Sequence, residues 1–167
     1  MEQSIGTMDI KIKVEGLSKV KGNLKKKIDK LQDLTQFFQS VGAYVQRQTK
    51  NERFDKEQSP DGVKWKPLSQ ARHKQRLKRH KTGKYKILQD EGRLSDIKYQ
   101  VSPTHVIIGN VVKYAAIHQF GGTIHFKKKK GSVTIPARPY LGVNEQNKKH
   151  ISMMLQGYIK RHVLGSI

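Results

Sequence analysis

Leu24, Ile28, Leu31, Leu34, Phe38, Val41 and Val45 recur at three- and four-residue steps. A stripe of that length obliges the chain to build helix, and the helix needs a surface to cover its apolar face. Asp33 with Gln36 three residues on reads as a capping box, so a break near Leu31 to Asp33 divides the run into two consecutive helices, spanning about 17–53 in all. Within the second, Gly42 allows a neighbouring element to approach closely. Covering surfaces follow later in the sequence. Ile97, Tyr99 and Val101 alternate, Ser102-Pro103-Thr104 turns, and Val106 to Ile108 return, which predicts a β-hairpin. Thr123 to Phe126 and Val133 to Ile135 predict another, with Lys127, Lys128, Lys129, Lys130 and Gly131 at its tip. Asn144 can cap a closing helix, about 144–164, with Ile151, Leu155, Tyr158 and Ile159 on its apolar side. Before these, Met8 to Val14 alternates as a strand does. Strand, helices, hairpins and helix in that order predict an α+β domain: an antiparallel sheet with β-hairpins, packed on one face by the long N-terminal helices and the C-terminal helix. The 167 residues suit one domain, 1–167.

Between helices and hairpins lies a stretch with a different grammar. Ser59-Pro60-Asp61-Gly62 is a turn in which Pro presets φ, Asp bonds the backbone and Gly accepts positive φ, and Trp65 is the natural anchor of the loop that follows. Ser69 can cap a short helix running through Leu77 toward Gly83, basic on nearly every side with Arg72, Lys74, Arg76, Lys78, Arg79 and Lys81. A helical turn through Tyr114 to Ile117 should end at Gly121-Gly122.

Charge narrows the function. Lys and Arg number 34 against 13 Asp and Glu, a net charge of +21, and no carboxylate occurs between Asp61 and Asp90, between Asp96 and Glu145, or after Glu145. A surplus this large destabilises a compact state by self-repulsion, so it implies a polyanion or an acidic protein surface as partner. Aromatics do not interleave with the lysine run, so any DNA contact is to the backbone alone. The absence of cysteine excludes disulfides, thiolate metal sites and cysteine nucleophiles. Metal ligation finds no His-Glu-x-x-His arrangement, and His73 and His80 sit among cations that oppose a divalent ion; solvated surface histidines are the plainer reading. His118, in a small apolar turn, reads as a histidine bonded to backbone. Asp90, Glu91 and Asp96 are too few and wrongly spaced for a metal-dependent nuclease, and hydrolase and phosphate-loop motifs are missing. No enzyme, cofactor or metal is expected. Nor is a membrane: no apolar run reaches spanning length, and Met1 to Met8 lacks the features of a signal peptide.

Four linked segments carry a resemblance. Phe54 is followed by Ser59-Pro60-Asp61-Gly62-Val63-Lys64-Trp65-Lys66-Pro67-Leu68-Ser69, then by Ile87-Leu88 with Gly92-Arg93-Leu94. Tyr114-Ala115-Ala116-Ile117-His118-Gln119-Phe120-Gly121-Gly122 comes next, and Ile135-Pro136-Ala137-Arg138-Pro139-Tyr140-Leu141-Gly142 closes the set. In this order they resemble the phage virion morphogenesis family, the tail completion proteins of contractile-tailed, Mu-like phages. The resemblance implies a virion structural protein that completes the head-proximal end of the tail as a terminator ring and enables head–tail joining. It implies a homo-oligomer, with a hexamer favoured by the sixfold tail tube, and tail tube and neck or connector proteins as partners. The place implied is the tail or neck of the virion, assembled in the host cytoplasm. No catalytic residue comes with it. Pro60, Gly62, Trp65, Tyr114, His118, Phe120, Gly121, Gly122, Pro136, Arg138 and Pro139 read as structural, defining the motif-bearing region 54–142. Arg138 can salt-bridge within the fold or across a subunit boundary. Arg72, Lys74, Arg76, Lys78, Arg79, Lys81 and Lys127 to Lys130 are the candidate contacts with an acidic partner or with phage DNA. A sequence-independent nucleic-acid-binding protein is the alternative function.

Overall fold

The computed structural model describes residues 22, 25, 26, 29, 32–80, 85–126 and 130–164. The expected strand at Met8 to Val14 and the first apolar positions of the stripe, Leu24, Ile28 and Leu31, lie outside them.

Gln32 is helical, Asp33 and Leu34 are not, and helix α1 (Thr35–Gln48) starts immediately after. The predicted break is therefore present, but with different chemistry: the Asp33 carboxylate accepts from the Thr35 N–H (2.9 Å), and no reciprocal bond from Gln36 completes a box. Phe37, Val41 and Val45 are the buried stripe of α1, with Leu34 and Phe38 half-buried on its flanks. Phe37 is the member the sequence pattern passes over, because a doubled aromatic leaves open which ring faces in. The helix does not stop at Gln48. It widens into a π-helical turn, Thr49–Phe54, which rotates Thr49, Arg53 and Phe54 inward.

Hairpin β1 (Lys98–Val101) and β2 (Val106–Gly109) is antiparallel, Tyr99 opposite Ile108. Val106 and Ile108 pack on the α1 stripe while Ile107 faces out, as period-two alternation requires. The Tyr99 ring lies against Gly42, where a Cβ would stand 2.7 Å from Tyr99 Cγ, so only glycine permits this approach. Helix α4 (Glu145–Ile159) follows a capping box in which Asn144 and Asn147 exchange bonds, and a second π-helical turn, Lys160–Leu164, extends it. Its Ile151, Met154, Leu155 and Tyr158 pack on the Phe37 cluster. Met154 thus takes the place expected for Ile159, completing an i, i+3, i+4, i+7 face.

Helix α2 (Gln70–Arg79) is capped by Ser69, whose Oγ accepts from the Arg72 N–H. It ends at Arg79, short of the predicted run toward Gly83, where the His80 ring turns to Asp90 (3.1 Å). Short helix α3 (Ala115–Phe120) leads into hairpin β3 (Gly122–His125) and β4 (Ser132–Ile135). The protein is α+β, as the sequence predicts, but among the described residues the single expected sheet is two separate two-stranded sheets. Between the hairpins the Asn110 amide donates to the carbonyls of Arg93 (2.9 Å) and Leu94 (3.0 Å), and this turns the chain away after β2 before it enters α3. Among the described residues no helix is long and apolar enough to cross a membrane.

Candidate functional site

Two loop segments, 59–68 and 135–142, and the short helix α3 with its flanks, 114–122, are distant in sequence and converge around Phe54, Trp65 and Tyr140. Phe54 is fully buried, edge-on to Trp65 at 5.6 Å and tilted against Tyr140 at 5.2 Å. Loops carry backbone groups with no ladder to join, so each must find a side-chain partner. Trp65 Nε1 donates to the Pro139 carbonyl (2.8 Å). Arg138 Nε and Nη2 donate to the carbonyls of Lys66 (2.8 Å) and Pro67 (2.9 Å). Gln119 Oε1 accepts from the N–H groups of Tyr140 and Leu141, both at 3.0 Å, and its Nε2 returns a bond to the Leu141 carbonyl (2.8 Å). Asn144 Nδ2 donates to the Pro60 carbonyl (2.7 Å). Gly121 has φ 74°, and a Cβ on it would stand 2.7 Å from the Ala137 nitrogen, so the crossing of these loops excludes any side chain there.

Beside this stapled core opens a cavity of about 370 Å³, walled by α2, the Leu88–Leu94 loop, Tyr114, His118 and Arg138. Five guanidinium groups face it, those of Arg72, Arg76, Arg79, Arg93 and Arg138, against two carboxylates, Asp90 and Glu91. Asp90 binds Arg76 (2.5 Å), Arg79 (2.8 Å) and His80 (3.1 Å), with Arg72 further off at 3.9 Å. Burial would raise its carboxyl, yet the His80 hydrogen bond together with Arg76 and Arg79 holds it below the ordinary value. Burial, then the charges of Arg138 and Arg72, depress His118, which is therefore neutral at pH 7. Its Nδ1 is buried and has no partner among the described residues. Leu88, in the same wall, holds φ 63°, uncommon for a residue with a branched side chain.

The structure sorts the residues singled out from the sequence. Arg72, Arg76 and Arg79 meet at Asp90. Arg76 is buried, so α2 is not basic on every exposed side; the inward charge is set by the one carboxylate that ends the acid-free stretch after Asp61. Lys74, Lys78 and Lys130 are exposed. Lys81 and Lys127 to Lys129 lie outside the described residues. Gly62 and Pro60 form the predicted turn, the Gly62 N–H bonding the Ser59 carbonyl at 3.0 Å. Trp65 is buried as an anchor should be, whereas Tyr114 and Phe120 are exposed, Phe120 by 77%. Gly122 opens β3, and Pro136 and Pro139 bracket Arg138. Among the described residues Arg138 forms no ion pair: it clamps carbonyls. His118 is held through its backbone, its carbonyl accepting from the Arg138 N–H (2.7 Å), while its ring edge meets Tyr114. His73 and His80 are not plain solvated histidines, since His73 pairs with Tyr85 and His80 with Asp90. Among the described residues no three His, Cys, Asp or Glu side chains come together as metal ligands; Glu91 and Asp96 pair instead with Arg93 (3.0 Å) and Lys98 (2.9 Å).

Three working residues were not picked out as such by sequence reasoning. Gln119 stands inside the Tyr114–Gly122 motif, a polar residue between His118 and Phe120, and its position there was its only signal. Asp90 was signalled only as the first carboxylate after the acid-free stretch that follows Asp61. Arg53, buried and bonded to Asn147 Oδ1 (2.8 Å) and the Gly142 carbonyl (3.2 Å), gave no signal at all.

Residues 15–162 match the phage virion morphogenesis family, a span that includes all three converging segments and the cavity. The chain belongs to that family. It is similar to Mu-like prophage FluMu G protein 1 of Haemophilus influenzae, 31% identical over 114 residues that make up 68% of this chain and 71% of that protein. It is also similar to Mu-like prophage FluMu G protein 2 of the same organism, 34% identical over 74 residues, 44% of this chain and 51% of the relative. No solved structure matches it.

Proposed function

We propose that this member of the virion morphogenesis family is a tail-completion subunit: a structural protein, without a catalytic step, that closes the head-proximal end of the tail as a ring and prepares it for joining to the head. The carrying observation is the family match across residues 15–162. The geometry supports a building block. Loops fixed to one another by side chain–backbone bonds make a stiff body, and from it projects a hairpin that has little reason to exist alone. Both strands of β3–β4 are exposed along almost their whole length, and Ile124, Phe126 and Val133 are exposed with Phe120 at its base. A two-stranded hairpin is marginal in water unless something packs on it, so a neighbouring subunit in a closed ring is the natural cover, six copies matching a sixfold tube. Tail tube and neck proteins are the further partners, and the virion tail or neck is the place.

Deleting the gene from the phage and imaging the products by electron microscopy tests this. The expected result is heads and tails that fail to join, rescued when the chain is supplied in trans, with the chain present in purified tails. Normal infectious particles without it would overturn the reading. Recovery of the chain on naked DNA and not on tails would favour the nucleic-acid-binding alternative, which the net charge of +21 keeps in view.

A further inference from the structure

We propose that the arginine-lined cavity between α2, the Leu88–Leu94 loop and α3 is a receptor for the carboxylate side chain of a glutamate or aspartate carried by a neighbouring protein chain. The identity of the occupant as a virion neighbour rests on the tail-completion reading; the affinity of the cavity for a carboxylate does not.

The charge balance in the cavity is incomplete. Asp90 is shared by Arg76, Arg79 and His80, and Glu91 is taken by Arg93 at 3.0 Å. Among the described residues that leaves Arg72, at 3.9 Å from Asp90, and Arg138, whose Nε and Nη2 are committed to backbone carbonyls, with no carboxylate of their own. Arg76 and Arg138 are 5% and 4% exposed, and burying cations without a full complement of anions is costly. Two polar atoms of side chains in the wall, Arg76 Nε and His118 Nδ1, are buried without a partner among the described residues. Buried polar groups in folded proteins are nearly always satisfied, and these two, closed to solvent in the free chain but carried on side chains that line the cavity, leave room for an acceptor from outside. In the tautomer with its proton on Nδ1, His118 supplies a donor to that acceptor; protonated, it supplies a charge as well.

Shape selects among anions. A duplex presents phosphates on a broad convex surface and meets projecting cations, such as the exposed Lys74 and Lys78. Here the innermost guanidiniums are sunk beneath the surface, and Leu68 and Leu88 line the approach. An apolar approach ending in planar forks suits a side chain with methylenes and a terminal carboxylate, and Asp90 already shows Arg76 and Arg79 placed for that geometry.

The test uses the full chain and the neutral-flanked peptide acetyl-Gly-Glu-Gly-amide, with the Gln peptide, inorganic phosphate and a short DNA duplex in parallel, followed through the His118 ring signals by NMR. The expected result is a saturable shift with the Glu peptide, a raised His118 pKa in its presence, and no shift with the Gln peptide. Arg72→Gln with Arg79→Gln, both exposed at the rim, should weaken binding by about tenfold or more, as the loss of charge-assisted bonds implies; Arg72→Gln alone serves if the pair does not fold. Lys74→Gln with Lys78→Gln removes equal charge from the same helix outside the cavity and should leave binding unchanged. Equal weakening by both pairs would reduce the effect to diffuse attraction and overturn the proposal. So would saturation of the His118 shift by phosphate or duplex at concentrations where the Glu peptide has no effect. Peptide binding with normal virions from a deletion phage would retain the receptor and remove the tail reading.

Discussion

The stapled loops around Phe54 and the β3–β4 hairpin are built from the same kinds of residue and behave as opposites. In the first, short irregular segments are buried and nearly every named polar side chain closes a bond to backbone far away in sequence: Trp65 to Pro139, Arg138 to Lys66 and Pro67, Gln119 to Tyr140 and Leu141. In the second, regular β structure with a full register from Gly122 opposite Ile135 to His125 opposite Ser132 stands exposed with its apolar residues in water. Regularity and stability are therefore separated in this molecule. The irregular part is the body, and the regular part is left for something else to cover.

The sharpest way to break that contrast is Trp65→Ala. It removes a buried indole and orphans the Pro139 carbonyl, and should cost about 3–5 kcal/mol, read as a drop in the urea midpoint; an unchanged midpoint would mean the loops hold without their anchor. Gln119→Ala comes next. Losing three bonds to part-buried backbone should cost about 2–3 kcal/mol, whereas a value near zero would show water replacing the amide.

Titration sharpens the picture of the cavity beside the body. His118 is depressed from its ordinary 6.5. Its unfolded form binds protons first, so stability present above pH 6.5 is lost as the pH falls from there toward the folded pKa. His118→Gln should flatten that part of the stability–pH curve. Asp90 is depressed below 3.8, so its contribution, present above that value, disappears as the pH falls through its folded pKa; Asp90→Asn should move acid unfolding to higher pH. Thermal melts across the pH range check both, and parallel curves for variants and wild type would contradict them. Smallest in the free subunit is Phe120→Ser with Ile124→Ser. Exposed changes stay within about 0.5 kcal/mol each, yet incorporation into tails should fall, and a pair of equally infectious phages would refute the hairpin's role as an interface.

What was legible in the sequence was what is local. The Ser59–Gly62 turn, the Ser69 and Asn144 caps, the Gly121 stop and both hairpins follow from neighbouring residues, and each is where the pattern predicts. Gln119 and Arg138 stand within the motifs, yet their work is not visible there, because their partners lie 21 to 72 residues away. The inward turn of Arg76 was hidden for the same reason: a helix rich in arginine gives no sign of which one will meet Asp90. Asn110 reaches back to the Arg93–Leu94 turn after β2, a contact that no periodicity encodes.

Hydrogen exchange on the free subunit and on purified tails tests the central claim, that a stiff loop body presents the hairpin for assembly. Amides of the Trp65, Gln119 and Tyr140 segments should be protected in both samples, and those of Gly122–His125 and Ser132–Ile135 should gain protection only in tails. Equal exchange of the hairpin in the two samples, or absence of the chain from tails, would contradict it.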